Sequence, residues 1–385
     1  MKNILCLVFI AFGYTAQAQF LVKFKLGKFP LQHAGDNVFI SGNFNKWDPK
    51  DRSYTLSSVS DTSNSLTIKL PAGYYEYKVT RGSWETVESL DFGVDIDNHE
   101  FDISGDTTIT INIQAWKDDF KEMANKHSAS SQVHIMDSAF FMPQLGRTRR
   151  IWIYLPEGYE RSKKRYPVLY MQDGQNLFDR ITAINGEWGV DECLDSMIRT
   201  GKQACIVVGI DNGPKRFNEY NPYEFQNYGK GEADQYLDFL VETLKPFVDK
   251  KYRTLTGKEN TIIAGSSMGG LVSYYAMLKK PGVFGKAGVF SPAFWTALPI
   301  KSLTDSLAKK IDGKFFFYVG EKEGESFVKD VQEIQDILGE KSTAMIYSVV
   351  DPGSRHNEKA WRKWFYEFYA WMMADGFNTV IQIEK

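Results

Sequence analysis

One serine stands where a hydroxyl can become a nucleophile. Ser267 is the centre of Gly265-Ser266-Ser267-Met268-Gly269, a G-x-S-x-G run. The apolar segment Thr261-Ile262-Ile263-Ala264 precedes it and a helical pattern over residues 271–279 follows. A strand, a turn of this composition and a helix make a nucleophile elbow. The spacing follows from the chemistry. The hydroxyl must project from a tight turn, the two glycines remove Cβ atoms that would collide there, and the helix N-terminus favours developing negative charge. Ser266 is out of register with the glycines. A glycine-rich helix start without catalysis is the plainer reading, and the flanking strand and helix weigh against it.

A serine hydroxyl needs a base at neutral pH. In elbow-bearing folds the order along the chain is serine, acid, histidine. The histidines are His33, His99, His127, His134 and His356, and only His356 follows Ser267. It sits in the loop Asp351-Pro352-Gly353-Ser354-Arg355-His356-Asn357, ahead of a Trp-rich helix. The acid that orients the imidazole belongs after an intervening strand. Residues 314–319 read as that strand and run into Gly320-Glu321-Lys322-Glu323-Gly324-Glu325. Glu323 is the preferred acid, with Glu321 and Glu325 as rivals. An oxyanion needs two backbone N–H donors. Met268, next after the nucleophile, supplies one, and Gln175, in the loop Gln172-Asp173-Gly174-Gln175-Asn176, is expected to supply the other.

These residues need a scaffold. From residue 133 onward, strand patterns at 150–155, 168–171, 204–210, 261–264, 286–290, 314–319 and 344–350 alternate with amphipathic helices. Near-continuous apolar strands separated by helices predict an α/β domain, a doubly wound and mostly parallel sheet covered on both faces, over residues 133–385. Its site belongs at the C-terminal ends of the strands. The spacing predicts helices over residues 233–249, kinked at its end by Pro246, and over 326–338. Residues 19–114 read as a small all-β sandwich with strands at 38–40, 65–70 and 108–113. The charged and small polar residues 115–132 are expected to link the two.

Composition narrows the class. The chain has 385 residues, 15% of them aromatic, and a formal net charge of -2. No long run of one sign appears, which argues against nucleic acid or an anionic membrane as partner. Lys2, the apolar residues 4–12 and Ala16-Gln17-Ala18 read as a signal peptide over residues 1–18, cut near Ala18, so the chain is expected to be exported. No other segment is apolar enough to cross a bilayer. Cys193 and Cys205 are left beyond the leader, and export leaves their pairing open. No Cys/His cluster has metal-ligand spacing, so neither a metal nor another cofactor is expected.

Residues from about 140 to 375 resemble the Putative esterase family of α/β-hydrolases, which includes feruloyl, acetylxylan and enterobactin esterases. The resemblance rests on residues 168–178, Val207-Val208-Gly209-Ile210-Asp211-Asn212-Gly213, the 265–270 elbow, Tyr318-Val319-Gly320-Glu321-Lys322-Glu323 and the His356 loop. It implies hydrolysis of carboxylic esters by Ser267, His356 and an acid at Glu323. Family members often carry Asp as the acid, where this chain has Glu. Upstream, Ser41-Gly42-Asn43-Phe44-Asn45-Lys46-Trp47-Asp48-Pro49 and residues 73–86 resemble glycogen- and starch-binding modules of immunoglobulin-like fold. That resemblance makes Trp47, Lys78 and Trp84 the counterparts of sugar-binding residues, though such a domain can also simply pack beside a catalytic one. Together the resemblances imply a secreted serine esterase acting on a decorated carbohydrate bearing acetyl or feruloyl esters. A siderophore or other small-molecule ester is the alternative substrate, and a glycan-binding protein with a vestigial hydrolase domain the alternative class. Trp188, Arg216 and Trp295 are candidates to line the substrate pocket in either case.

Overall fold

The computed structural model describes residues 18–56, 65–90, 93, 96, 98–120, 127–184, 186–374 and 381–383. The expected leader lies outside the described residues apart from Ala18. The chain divides into two compact units, Met1–Lys126 and His127–Lys385.

The first unit is sheet-rich. Strand β1 (Gln19–Leu26) buries Val22, Phe24 and Leu26 while Lys23 and Lys25 face water, the two-residue period of a half-covered strand. It lies between β4 (Ser65–Pro71), antiparallel, and β8 (Thr107–Ile111), parallel. A second, antiparallel sheet runs in the order β3 (Thr55–Leu56), β2 (Val38–Gly42), β5 (Gly73–Thr80) and β7 (His99–Ile103). Phe24, Ile40, Val79 and Ile111 from the two sheets share one core. Residues 115 and 116, expected to begin a linker, instead form strand β9 (Ala115–Trp116), paired with β6 (Glu88–Ser89). Trp116 is buried under the Arg81 guanidinium, 5.0 Å from its ring, so burial of a large side chain overrides the local charge pattern.

The second unit mixes sheet and helix. Its nine-stranded sheet runs β10 (Val133–Met142), β11 (Arg147–Tyr154), β13 (Ile206–Ile210), β12 (Val168–Gln172), β14 (Thr261–Ser266), β15 (Lys286–Phe290), β16 (Lys314–Gly320), β17 (Met345–Asp351), β18 (Ile381–Ile383). β11 pairs antiparallel with both β10 and β13, and the remaining neighbours are parallel. Side chains alternate between two cores. On β12, Val168 and Tyr170 enter one, while Leu169 and Met171 enter the other. The second core is closed by α1 (Val190–Arg199), through Leu194 and Met197. A short helix, α2 (Arg216–Tyr220), follows β13. The first core is closed by α3 (Ala233–Asp238), with α4 (Lys245–Lys251) continuing it, and by α5 (Met268–Lys279), α6 (Ile300–Leu307) and α7 (Glu325–Lys341). Opposite them α8 (Glu358–Met373) adds Phe365, Phe368 and Tyr369 to the second core. Each fully buried Phe there contributes about 1.5–3 kcal/mol.

Two details differ from the sequence pattern. The helix over 233–251 is not regular along its length. It widens into a π-helical turn at Phe239–Leu244, just ahead of Pro246. Pro246 lacks an N–H and its ring crowds the carbonyl four residues back, and the wider turn relieves that crowding. Strand β10, which the apolar pattern did not reveal, is an edge strand with two register shifts in its pairing and mostly exposed side chains.

The order in which strands are added to the sheet reverses at β12. After β12 the chain adds β13 on one side and returns to add β14 on the other. The C-terminal ends of β12 and β14 are thus neighbours at a reversal of strand order, the position at which open sheets of this kind bind ligands.

Candidate active site

Ser267 lies between β14 and α5 with φ 57° and ψ −121°. A non-glycine residue there costs about 1–3 kcal/mol, and surrounding bonds must hold it. Its N–H donates to the Phe290 carbonyl at 2.9 Å, and its own carbonyl accepts from Ala293 N–H at 3.1 Å and Leu271 N–H at 3.0 Å. A Cβ on Gly265 would lie 2.8 Å from the Gly269 carbonyl carbon, so both glycines are demanded by the close passage of the backbone through the turn. Met268 is the first residue of α5, whose first-turn N–H groups have no partner within the helix.

His356 and Glu323 meet. Nδ1 of His356 lies 2.7 Å from Oε2 of Glu323. An ionised carboxylate can only accept, so this contact selects, for a neutral imidazole, the tautomer with the proton on Nδ1 and the lone pair on Nε2. The Glu323 side chain has no exposed surface, while that of His356 is 34% exposed. Oε1 of Glu323 accepts from Ser291 Oγ at 2.6 Å and from Gly320 N–H at 2.8 Å. Glu321 and Glu325 are exposed, and of the three acids considered, Glu323 is the one brought to the imidazole.

Two loops must press together for this contact. A Cβ on Gly320 would come 2.3 Å from the Ser354 carbonyl oxygen, which instead accepts from Lys322 N–H at 3.2 Å. Asp351 braces the histidine loop through Ser354 Oγ at 2.7 Å, Lys363 at 2.6 Å and Trp364 Nε1 at 2.7 Å. Burial works against its charge, but those donors prevail and hold its carboxyl at about 2. Trp361 sets its ring edge against His356, with centroids 5.1 Å apart, and donates to Ser291 Oγ at 2.9 Å.

The loop after β12 carries Gln175, buried in a turn of 3-10 helix, Gly174–Asn176. Its Oε1 accepts from Asn212 N–H at 3.1 Å. Asp173, in left-handed conformation, holds this loop by accepting from Arg216 Nε and Nη2 at 2.7 and 2.8 Å and from Asn212 Nδ2 at 2.7 Å. Arg216, expected to face substrate, is thus engaged by Asp173. Burial disfavours its charge, yet the carboxylate outweighs that and raises its pKa. Glu358, at the start of α8, is buried, and desolvation pushes its carboxyl up to about 7, with Asp173 adding to the effect.

Trp188 corrects the pocket expectation. It is 3% exposed, stacked on Trp361 at 5.8 Å and edge-on to Phe290 at 5.1 Å, so it belongs to the core beneath α8. A large ring gains more from that packing than from a wet cleft. Trp295 is 45% exposed, beside Phe225. In the first unit, Trp47 and Trp84 approach to 6.4 Å at 43°, Trp84 largely exposed, and Lys78 Nζ donates to the Ile96 carbonyl. Cys193 and Cys205 are free thiols. Ser291, Asp351 and Trp361 escaped the sequence reading. The one available signal was Ser291-Pro292 directly after an apolar strand.

The Putative esterase family profile matches residues 143–371, more than half of the chain. The chain belongs to the Putative esterase family. Residues 33–120 match the Pullulanase X25 domain, a starch-binding-like module. As a member of this family the protein is a carboxylic ester hydrolase. It is 28% identical over 234 residues to the endo-1,4-β-xylanase/feruloyl esterase of Xylanibacter ruminicola, covering 60% of this chain and 30% of that relative. Uncharacterized protein YbbA of Bacillus subtilis is 24% identical over 249 residues, 60% of this chain and 95% of its own length. Among solved structures, the enterobactin esterase FES from Shigella flexneri has a TM-score of 0.56 at 14% identity, covering 92% of each chain, a likeness of fold. No helix among the described residues is long and apolar enough to cross a membrane.

Proposed function

We propose that this family member is an exported serine esterase of the α/β-hydrolase fold, with a doubly wound sheet over residues 133–385. It acts on carboxylic esters carried by a carbohydrate. The observation that carries the mechanism is the 2.7 Å contact between Glu323 and Nδ1 of His356, which leaves Nε2 free to act as base. In the first half-reaction Nε2 takes the proton of Ser267 Oγ as that oxygen bonds to the ester carbonyl carbon. The carbonyl oxygen becomes an oxyanion, stabilised by the N–H groups of Met268 and Gln175. Its collapse breaks the bond to the alcohol oxygen, which leaves with the proton from His356. Water then attacks the acyl-enzyme with His356 again as base, the acid departs, and Ser267 regains its proton. Glu323 stays ionised and stabilises the imidazolium that forms twice per cycle.

The carbohydrate part of the proposal draws on the X25 match, on the feruloyl esterase relative and on the paired rings of Trp47 and Trp84 in a module spanning residues 19–114. A siderophore ester is the second reading, because a siderophore enterobactin esterase of Emericella nidulans is 35% identical over 65 residues. Release of acid from acetylated xylan, feruloylated xylan and a siderophore ester, measured side by side, decides between them. The nucleophile is tested by Ser267→Ala. The variant should lose about 10⁴-fold or more in kcat and all labelling by a fluorophosphonate, because a triad acts as a unit. Full activity of Ser267→Ala on p-nitrophenyl acetate would end the proposal.

A further inference from the structure

Four aromatic side chains gather on the short helix α2 and on two loops that follow strands β13 and β15. Phe217 and Tyr228 stack at 3.8 Å, Phe217 and Phe225 stack at 5.5 Å, and Phe225 meets Trp295 edge-on at 5.6 Å. Phe217, Phe225 and Tyr228 follow β13, and Trp295 follows β15. Tyr228 is 54% and Trp295 45% exposed, so part of both rings is open to water. Aromatic surface at this exposure is a marker of binding.

The loops are built to hold those rings still. Asn218 Nδ2 donates to the Tyr228 carbonyl at 2.6 Å and to the Lys230 carbonyl at 2.9 Å, closing the first loop on itself. Phe225 N–H donates to the Gly229 carbonyl at 3.2 Å across the tip. Asn221 Nδ2 donates to the Thr296 carbonyl at 3.1 Å, tying the first loop to the second. Rings fixed in advance lose little conformational freedom when a ligand arrives.

The loop carrying Trp295 is tied to the turn that holds Ser267. Trp295 is two residues beyond Ala293, whose N–H donates to the Ser267 carbonyl at 3.1 Å. Thr296 Oγ1 reaches the Met268 sulfur at 3.6 Å. The loop that presents Trp295 is therefore bonded to both residues of the elbow.

We infer that Phe225, Tyr228 and Trp295 form a ring-binding platform that takes the flat apolar face of a ring in the ester substrate and so sets its preference for ring-bearing esters. The inference rests on the esterase reading of Ser267. A flat ring face is offered by an aryl acid and by a pyranose alike, and the test separates them. Wild type, Trp295→Ala, Trp295→Phe and Tyr228→Ala are assayed for kcat/KM on methyl ferulate, on an acetylated xylo-oligosaccharide and on ethyl acetate, which has no ring. The ratio of kcat/KM on a ring-bearing ester to that on ethyl acetate should fall about tenfold in the two Ala variants, the loss of one ring contact. Trp295→Phe should recover most of it. A fall confined to methyl ferulate assigns the platform to the acyl ring, and one confined to the oligosaccharide assigns it to the sugar. Ratios within twofold of wild type in both Ala variants, each melting at the wild-type temperature, would overturn the platform and leave the esterase reading standing. A wild type inactive on all three esters would overturn the esterase reading and the platform with it.

Discussion

Replacing Glu323 by Gln isolates the charge from the shape of the site. The native carboxylate accepts from His356 Nδ1, Ser291 Oγ and Gly320 N–H, all within 2.8 Å, on a side chain without exposed surface. Gln keeps one acceptor oxygen, which Ser291 and Gly320 can still share. Its amide nitrogen can only donate, so it favours the imidazole tautomer with Nδ1 bare and Nε2 protonated, the wrong one for a base. It also removes the counter-charge for the imidazolium. In Ser-His-acid hydrolases the loss of the acid costs about 10³–10⁴ in rate, or about 4–5.5 kcal/mol at about 1.4 kcal/mol per decade. Folding should suffer far less, by about 1–2 kcal/mol, because two of the three bonds persist. The assay is kcat/KM on p-nitrophenyl acetate, with urea unfolding as the control, alongside Glu321→Gln and Glu325→Gln. The exposed pair should stay within twofold of wild type. A Glu323→Gln enzyme within tenfold of wild type, or an equal loss in Glu321→Gln, would refute the reasoning.

Other outcomes follow from single contacts. Gly320→Ala puts a Cβ 2.3 Å from the Ser354 oxygen, so the histidine loop must shift; kcat should drop about 10²-fold with a smaller change in KM, read by steady-state kinetics. Glu358 is held protonated by burial up to about pH 7, whereas in the unfolded chain it titrates near ~4.3. Its contribution to stability is therefore complete below about pH 4 and is lost as pH rises towards 7, by at most about 4 kcal/mol. Glu358→Gln should remove that slope, so unfolding midpoints in urea at pH 5 and pH 8 should lie closer together than in wild type, and an unchanged slope would locate the effect elsewhere. In the first unit, Trp47→Ala with Trp84→Ala should abolish retention on starch or xylan in affinity electrophoresis, at unchanged p-nitrophenyl acetate activity.

Much of the site was legible because its chemistry restricts sequence locally. A nucleophile elbow needs glycines two residues to either side of the serine, and Gly265 shows why, since a Cβ there would lie 2.8 Å from the Gly269 carbonyl carbon, while one on Gly269 would press on the Gln172 side chain at 3.0 Å. Strands buried on both faces are apolar without interruption, so β12 to β17 could be read directly. What failed was reading where a side chain points. Trp188 and Trp295 look alike as exposed-loop tryptophans in the sequence, yet one lies in the core under α8 and the other on the surface. Arg216 was read as a substrate contact and is claimed by Asp173, 43 residues away. Ser291 has no motif, and its role appears only when β15 is set beside β16.

The sequence by itself determined the chemistry available: one serine in an elbow motif, one histidine after it, three closely spaced glutamates between them, and a segment resembling starch-binding modules upstream. Only the tertiary structure decided which glutamate meets the histidine. Glu321, Glu323 and Glu325 are alternatives in composition and spacing. Chain folding buries one of them against Ser291 and His356, residues brought together by parallel strands whose pairing is long-range and is written in no local pattern.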